Sequence, residues 1–416
     1  MTDARGPRDV LRVAFVAVLA VLACAPAAAA AAAPYEAHTV IVKYADSAPS
    51  AQRSLVARTA GVLQTLARVA GVGAQLVRVS GDPAAVAARL QRSGAVRYAE
   101  PNYVYHATAI PNDPLFGQQY GLNSPLDADI DAPEGWDAGG LGSFPIGGGA
   151  TIGIVDTGIA DGHQDLTGKL AICAGVRSFG LDLLGVPLLD NPTVVAGRCA
   201  DDNGHGTHIA GIAAARANNG VGIAGVAFNS QLAVCKALNS AGAGTLVALA
   251  NCIAYLSGQG VKIISMSLGG PASQTLATAV ADASSRGALI IAAAGNDGSS
   301  MLNFPAAFPQ VVSVGAVDRS GARAAFSNAN TDVEVSAPGV DILSTWSDGG
   351  YRTESGTSMA TPFVAGVVAL IAARDPAGGA AAWRSRLTSA VDDLGPPGRD
   401  PQFGFGRVNL AKALGG

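Results

Sequence analysis

The sequence predicts an α/β protein: a doubly wound, mostly parallel sheet with helices on both faces, preceded by a small α+β unit. From residue 110 onward, almost continuously apolar stretches of strand length alternate with helical segments, which is the pattern of a parallel sheet buried on both faces. The chain has 416 residues and is 49% hydrophobic, so a large core is available. A charged fraction of 14% and 53 glycines indicate a tightly turned globular protein.

The first 33 residues have the organisation of a secretory signal peptide. Arg5, Arg8 and Arg12 form a positively charged start, residues 13–23 are apolar, and an alanine tract with several possible cleavage positions follows. The apolar run is shorter than the ~20 residues that a membrane-spanning helix needs. We therefore expect a secreted protein, extracellular or periplasmic, that is cleaved within residues 27–33 and then leaves the membrane.

The cysteines agree with export. Cys24 leaves a lipid-anchored form as an alternative, although the residues before it fit a lipoprotein signal poorly. The four later cysteines are even in number and lack zinc-site spacing, which favours disulfides in an exported protein. Three pairings are possible. We expect Cys173 to pair with Cys199 and Cys235 with Cys252, because neighbour pairing closes the shortest loops.

Residues 35–109 are predicted to form the small α+β unit. We expect strands at HTVIVKY and AQLVRVS, helices over residues 52–70 and 83–92, and a closing strand in AVRYAEPNYVYH. A unit of about 70 residues is close to the lower limit for independent stability. The turn-rich IPNDPLFG then marks a boundary, so residues 110–416 are predicted to form a second domain.

In that second domain, strands and helices alternate. The predicted strands are ATIGIVDTG, QLAVCKAL, VKIISMSLGG, ALIIAAAGN and VVSVGAVD. The predicted helices are THIAGIAAARA, LVALANCIAYL, TLATAVADASSRG and residues 359–373. The last of these helices is apolar all round, which indicates that it is buried.

Four polar side chains follow these strands or begin these helices. Asp156 follows the first strand and Asn296 follows ALIIAAAGN. His205 begins a helix in DDNGHGTHIAG, and Ser358 begins the long apolar helix. Each residue alone has an ordinary explanation as a turn residue or a helix cap. Because ligands bind outside the carboxyl ends of the strands in open α/β sheets, we expect all four side chains at one edge.

These four residue types are the ones that acyl transfer by a serine requires. A serine hydroxyl is a weak nucleophile, and a neutral imidazole can take its proton and return it to the leaving group. A buried carboxylate orients the imidazole and stabilises its charged form. An asparagine amide, together with the backbone N–H of the nucleophile, can donate to the developing oxyanion. The helix that begins at the serine adds a partial positive charge.

The motifs IVDTGI, NGHGTHIAG, AAAGN and GTSMATPFVAG, in the order Asp–His–Asn–Ser, closely resemble those of the subtilisin-like serine peptidases, the subtilase family. The resemblance covers essentially all of the second domain. It implies a secreted serine endopeptidase that works through an acyl-enzyme. In this enzyme Asp156 would orient the imidazole, His205 would be the general base, Ser358 the nucleophile and Asn296 the oxyanion donor. Residues 35–109 would be an inhibitory prosegment that assists folding and is removed by a cut within residues 106–110.

The resemblance also implies a cleft in which an extended substrate pairs with the main chain, which tolerates many sequences. The implied substrate-binding residues are Gly242, Ala243, Gly244, Ser267, Leu268, Gly269, Ala292, Ala293, Ala294 and Gly295, with further walls from NFPAAFP. Small apolar walls favour large apolar or aromatic side chains, whereas Asp297 at the rim would help basic ones. The sequence leaves this choice open.

A structural calcium ion is a further implication of the resemblance. The matching ligands are Asp113, Asp165 and Asn219, and oxygen donors of this kind suit Ca²⁺. Gln164 replaces the proline of the family's common His-Pro-Asp-Leu pattern, while the aspartate is retained. The alternative is that these are three solvated loop residues.

Other functions are less well supported. A catalytically silent binding protein would be free to lose Ser358 or His205, and both are present. A nucleotide-binding domain would carry G-x-G-x-x-G where this chain has IVDTGIADG, and a non-peptidase acyl hydrolase would more often carry G-x-S-x-G. A net charge of −4 predicts no nucleic-acid surface. We expect a monomer whose partners are protein or peptide substrates and its own prosegment.

Overall fold

The computed structural model describes residues 35–104, 110–137, 149–177 and 193–415. The predicted signal peptide and nearly all of the predicted prosegment cleavage region lie outside these ranges.

Residues 35–104 form a four-stranded antiparallel sheet packed against two helices. The elements are β1 (Tyr35–Tyr44), α1 (Ser50–Ala60), β2 (Val62–Val69), β3 (Ala74–Val79), α2 (Pro83–Gln91) and β4 (Val96–Tyr103). The sheet order is β2-β3-β1-β4. Val40 and Val77 from the sheet meet Val86 and Leu90 from α2 in one core. This is the predicted small α+β unit.

The helix predicted over residues 52–70 is wrong in its second half. α1 ends at Ala60, and Gly61 follows with φ of 97°, a left-handed conformation that commonly closes helices. Residues 62–69 form β2, which pairs with β3. The sequence of β2, VLQTLARV, lacks the alternation of apolar and polar residues that marks a half-buried strand. Most of its side chains are exposed. Long-range pairing therefore decides its conformation.

The rest of the chain contains a short 3₁₀ helix (Phe116–Gln118) and a longer series of helices and strands. In order they are α3 (Ala132–Asp137), β5 (Ile152–Asp156), β6 (Leu170–Val176), β7 (Val194–Ala196), α4 (His205–Ala214), β8 (Leu232–Lys236), α5 (Leu246–Gly258), β9 (Ile263–Met266), α6 (Gln274–Ser285), β10 (Leu289–Ala293), β11 (Val311–Val317), β12 (Val333–Pro338), β13 (Ile342–Thr345), β14 (Tyr351–Glu354), α7 (Thr357–Arg374), α8 (Gly379–Ser389), β15 (Val391–Asp392), β16 (Arg407–Val408) and α9 (Leu410–Leu414).

Ten of these strands form one sheet in the order β15-β16-β12-β11-β10-β9-β5-β8-β6-β7. The pairings are parallel except at the two edges, where β15–β16 and β6–β7 are antiparallel. β5 comes first in the chain and lies between β8 and β9, so later strands are added on both sides of it. The predicted doubly wound, mostly parallel sheet is confirmed, and β5 marks the point where the strand order reverses.

Helices cover both faces of this sheet. α4 and α7 share one core with Ile154, whereas α5 and α6 share the other with Val155, because successive strand residues face opposite sides. α7 is long and apolar enough to cross a membrane by length and composition, but 83% of it is buried inside this protein. It is the buried helix that the sequence predicted.

The structure contains both predicted disulfides. Cys173–Cys199 joins β6 to the segment that precedes α4, and Cys235–Cys252 joins β8 to α5. Pairing of neighbours is therefore confirmed, and each bridge fixes a connection close to the carboxyl edge of the sheet.

Candidate active site

The end of β5 and the start of α4 bring Asp156 and His205 together. Asp156 is the last residue of β5 and is fully buried. Its Oδ1 accepts hydrogen bonds from His205 Nδ1 at 2.8 Å and from the backbone N–H of Thr157 at 2.7 Å. Because Nδ1 donates its proton to this carboxylate, a neutral His205 ring carries an acceptor at Nε2. The pair can therefore accept a proton from a hydroxyl.

The charges around His205 favour its protonated form. Burial by itself lowers the pKa of the imidazole, but the charge and hydrogen bond of Asp156 outweigh burial. The charges of Asp201 and Glu354 add to that effect, so the pKa of His205 is raised above its ordinary value of 6.5. The imidazolium that forms during proton transfer is thus stabilised, and the neutral base is regained as the pH rises through this pKa.

Ser358 lies in the first turn of α7 and does not cap it. Gly356 occupies the N-cap position and has no side chain with which to cap the helix. The Ser358 hydroxyl donates to the carbonyl of Ser267 at 3.1 Å, and the Ser267 hydroxyl donates back to the carbonyl of Ser358 at 2.8 Å. In this structure the hydroxyl thus bonds to the segment after β9 and not to His205. Catalytic hydrogen bonds of this kind often tighten only when substrate is bound.

Asn296 follows β10 and contacts the same end of α7. Its Oδ1 accepts from the backbone N–H of Thr357 at 2.9 Å and from the Thr357 hydroxyl at 2.8 Å. The amide nitrogen is therefore left to donate elsewhere. It lies beside Gly356, where an added Cβ would be 3.4 Å from Nδ2. Asn296 and Ser358 thus flank one helix N-terminus, whose partial positive charge suits an oxyanion.

The two predicted substrate segments line one cleft with His205. The cleft measures about 440 Å³, and its predicted lining residues are Gly242, Ala243, Gly244, Ser267, Leu268 and Gly269. Asn203, Leu238 and Leu249 also line it, and none of the three was predicted from the sequence. Of these, Asn203 stands in the same DDNGHG run as His205, which was the available signal.

The predicted pocket residues lie at the end of β10. Ala292, Ala293, Ala294 and Gly295 are buried, and the carbonyl of Ala293 accepts a hydrogen bond from Asn303 Nδ2 at 2.8 Å. A Cβ added to Gly269 would overlap the same Asn303 amide. Asn303 therefore lies between the two walls, a placement that the sequence motif NFPAAFP alone did not reveal.

The three predicted calcium ligands lie in one cluster. Asp113 and Asp165 are buried, and Asn219 bonds to both. Its backbone N–H donates to Asp113 Oδ1 and its Nδ2 to Asp165 Oδ1, each at 3.1 Å. Tyr351 also donates to Asp165, at 2.9 Å. Burial raises the pKa of Asp113, and the charge of Asp165 adds to this rise against several backbone hydrogen bonds.

The two carboxylates have the chemistry that Ca²⁺ prefers. Asn219, in contrast, turns N–H groups toward them, and its Oδ1 accepts from the backbone N–H of Val221 at 2.8 Å. Within the described ranges, no group of three or more His, Cys, Asp or Glu residues is arranged to hold a metal ion. A calcium site here would consequently depend on two carboxylates supplemented by amide and carbonyl oxygens.

Comparison with known proteins agrees with this geometry. Residues 147–406 match the subtilase family, and residues 23–102 match the fervidolysin N-terminal prodomain. The thermophilic serine proteinase of Bacillus sp. (strain AK1) is 38% identical over 337 residues, which are 80% of this chain and 76% of that protein. Thermitase of Thermoactinomyces vulgaris is 39% identical over 306 residues, which are 73% of this chain and 99% of thermitase.

Solved structures give the same result. A protease from Pseudoalteromonas arctica has a TM-score of 0.64 at 30% identity, covering 74% of this chain and 99% of that one. Sphericase has a TM-score of 0.57 at 34% identity, covering 63% of this chain and 92% of sphericase. The chain therefore belongs to the subtilase family. It is a subtilisin-like serine peptidase, a hydrolase, with an N-terminal prodomain.

Proposed function

We propose that this peptidase is a secreted endopeptidase, made as a self-processing preproenzyme, whose catalytic residues are Asp156, His205, Ser358 and Asn296. The observation that supports this most strongly is the 2.8 Å bond between His205 Nδ1 and the fully buried Asp156. His205 and Ser267 both line the cleft, and the Ser358 hydroxyl donates a hydrogen bond to the carbonyl of Ser267.

Catalysis would proceed in two matched halves. Ser358 Oγ attacks the peptide carbonyl carbon while its proton passes to His205 Nε2. The carbonyl oxygen becomes an oxyanion that accepts from Asn296 Nδ2 and the backbone N–H of Ser358. The C–N bond then breaks as His205 gives its proton to the leaving amine. Water repeats the sequence on the acyl-enzyme and releases Ser358.

The prodomain is proposed to act as an intramolecular inhibitor. The proposed division is a signal peptide at 1–33, a prosegment at 35–109 and a catalytic domain at 110–416. We propose that the prosegment, whose last described strand is β4, occupies the cleft as a product-like peptide until the cut is made. Secretion is supported by the two disulfides, which persist in oxidising compartments. We propose that the mature enzyme is a monomer.

The primary pocket is proposed to favour apolar side chains. Its described walls are small, and the amide of Asn303 lies between Ala293 and Gly269 without adding a charge. The Asp297 side chain accepts a hydrogen bond from Asn328 Nδ2 at 3.3 Å, which leaves the carboxylate partly satisfied at the rim.

Digestion of casein by the mature enzyme tests these proposals together. We expect cuts mainly after large apolar residues, read by mass spectrometry of the fragments. A phosphonofluoridate that phosphonylates the nucleophile of serine hydrolases should stop the reaction and add one group, which peptide mapping places on Ser358. Labelling at another residue would overturn the assignment, and cuts mainly after lysine and arginine would overturn the pocket preference.

Calcium is proposed to stabilise the cluster of Asp113, Asp165 and Asn219. When bound, it would offset the charge of two buried carboxylates and tie the start of the catalytic domain to the loop after α4. Ligand binding at roughly 100 times Kd stabilises a fold by about 2.7 kcal/mol. We therefore expect EGTA to lower the melting temperature of the mature enzyme, and added Ca²⁺ to restore it.

The Asp165→Asn variant is the control for this calcium prediction. It should melt at a lower temperature and lose most of its response to EGTA and Ca²⁺, because one carboxylate ligand is gone. Identical melting of the unmodified enzyme in EGTA and in Ca²⁺ would contradict the site.

A further inference from the structure

Asp201 lies outside the Asp156–His205 pair, but it accepts hydrogen bonds from both elements that carry the pair. Its Oδ1 accepts from the Thr157 hydroxyl at 2.8 Å, next to Asp156 at the end of β5. Its Oδ2 accepts from the backbone N–H of Thr207 at 2.9 Å and from the Thr207 hydroxyl at 2.6 Å. Thr207 lies in the first turn of α4, two residues after His205. One carboxylate thus joins the two elements.

The same carboxylate organises the loop that leads into α4. Oδ1 also accepts from the backbone N–H groups of Asn203 and Gly204, both at 3.0 Å. The N-cap of α4 is Gly204, which has no side chain to satisfy the free N–H groups of the first turn. Asp201 supplies that acceptor from outside the helix, and its negative charge is favourable at a helix N-terminus.

The start of α4 packs directly on the turn after β5, so a small shift between them would change the distance between His205 and Asp156. The backbone N–H of Gly206 donates to the Thr157 hydroxyl at 2.8 Å. A Cβ added to Gly206 would overlap the carbonyl oxygen of Gly158. Because α4 packs this closely on the turn after β5, the separation of these two elements sets the distance between His205 and Asp156. The hydrogen bonds of Asp201 to Thr157 and Thr207 fix that separation.

We infer that Asp201 is a positioning residue of the proposed triad: it fixes His205 relative to Asp156, and its charge stabilises the imidazolium formed in catalysis. This inference rests on the proposed function of Asp156, His205 and Ser358. It assigns Asp201 no contact with substrate.

The electrostatic part has a definite sign. Burial raises the pKa of Asp201, but hydrogen bonds from Thr207, Gly204 and Asn203 outweigh burial and hold that pKa below its ordinary value. Asp201 is therefore anionic near neutral pH. The other charged groups that act on His205 are Asp156 from β5 and Glu354 from β14.

His208 lies one turn along α4 from His205. Burial lowers the pKa of His208 to about 4, so it is neutral in the working range. Since an anion at residue 201 raises the pKa of His205, loss of that anion must lower it.

Two variants separate the roles of Asp201. Asp201→Asn keeps the size and the contacts of one acceptor oxygen but removes the charge and the N–H contacts of the other oxygen. We expect its kcat to fall several-fold at constant KM on a peptide p-nitroanilide, and the acidic limb of its pH–rate profile to move down by roughly half a unit. Asp201→Ala removes all of these contacts, and a misplacement of this kind costs about 10²-fold in kcat.

Asp161→Asn is the charge control for both variants. Asp161 is exposed and, in the described part of the chain, makes no hydrogen bond to β5 or α4. The pH–rate profile of Asp161→Asn should match that of the unmodified enzyme.

The His205 ring should be titrated by NMR as well, in a Ser358→Ala background. The pKa of His205 should be lower in Asp201→Asn/Ser358→Ala than in Ser358→Ala alone, and this readout does not depend on catalytic activity. An unshifted titration in folded protein, or an Asp201→Asn enzyme with unchanged kcat and acidic limb, would overturn the inference. A lowered melting temperature without any shift would mean that Asp201 is merely structural. An inert unmodified enzyme would defeat the proposed function instead.

Discussion

The Ser358→Ala precursor is expected to keep its full length and to lose about 10⁶-fold in turnover on casein, a magnitude established on the related subtilisin itself. Ser358 is the one member of the proposed set that forms a covalent bond. In Ser358→Ala, Asp156 and His205 remain paired, but His205 has no serine hydroxyl to deprotonate and can act only on water. The first turn of α7 should persist, because its N-cap is Gly356 and its first N–H, that of Thr357, donates to Asn296 and not to Ser358. The variant should therefore fold and bind without cutting.

Intact mass and casein hydrolysis, followed on both precursors, measure this effect. Ser355→Ala is the matched control, because Ser355 is an exposed serine three residues away whose hydroxyl accepts the N–H of Asp341, at 2.8 Å. The control should shorten near residue 110 and remain active. If the unmodified precursor and Ser358→Ala shorten alike, another enzyme makes the cut. The assignment of Ser358 as nucleophile then depends only on the rates at which the two proteins hydrolyse casein. If both stay long and inert, a silent binding protein becomes the better interpretation.

The proposed catalytic residues could be found in the sequence because each stands at a boundary with a strong local signal. Asp156 ends the apolar strand β5, and Asn296 stands three residues after the apolar strand β10. His205 and Ser358 lie in the first turns of helices. In a parallel sheet the carboxyl ends of all strands share one edge, so local boundaries were enough to predict that these residues gather. The pairing of Asp156 with His205 across 49 residues follows from that topology.

Other parts of the fold and the site depend on contacts that no local pattern encodes. β2 is a strand because β3 pairs with it, while its own side chains are mostly exposed. Tyr351 joins the cluster of Asp113, Asp165 and Asn219 by a bond to Asp165 that spans 186 residues. Asn303 becomes part of the proposed primary pocket only when the chain folds back over Gly269. The sequence does not distinguish the role of Asp201, because an aspartate shortly before a helix is an ordinary capping residue.

Asp156→Asn is expected to lower kcat about 10⁴-fold with little change in KM. Oδ1 of Asp156 accepts from both the Thr157 N–H and His205 Nδ1, while Oδ2 has no hydrogen-bond partner among the described residues. An amide whose oxygen takes the Oδ1 position keeps both bonds, but it removes the negative charge that stabilises the imidazolium. An amide in the reverse orientation turns its NH₂ group toward both donors, so the ring must accept at Nδ1 and can no longer take the proton of Ser358. The substrate cleft is lined by other residues, so binding should be preserved.

Stability should separate this effect from simple damage to the fold. Asp156 is fully buried, and its Oδ2 has no hydrogen-bond partner among the described residues, so an NH₂ group at that position breaks no hydrogen bond and the substitution removes a buried charge. We therefore expect Asp156→Asn to melt no lower than the unmodified enzyme while it loses activity. Kinetics on a peptide p-nitroanilide and a melting curve, with Asp161→Asn as the charge control, measure both. Retention of more than a tenth of kcat would mean that catalysis by His205 needs neither the charge of Asp156 nor the tautomer that this carboxylate selects.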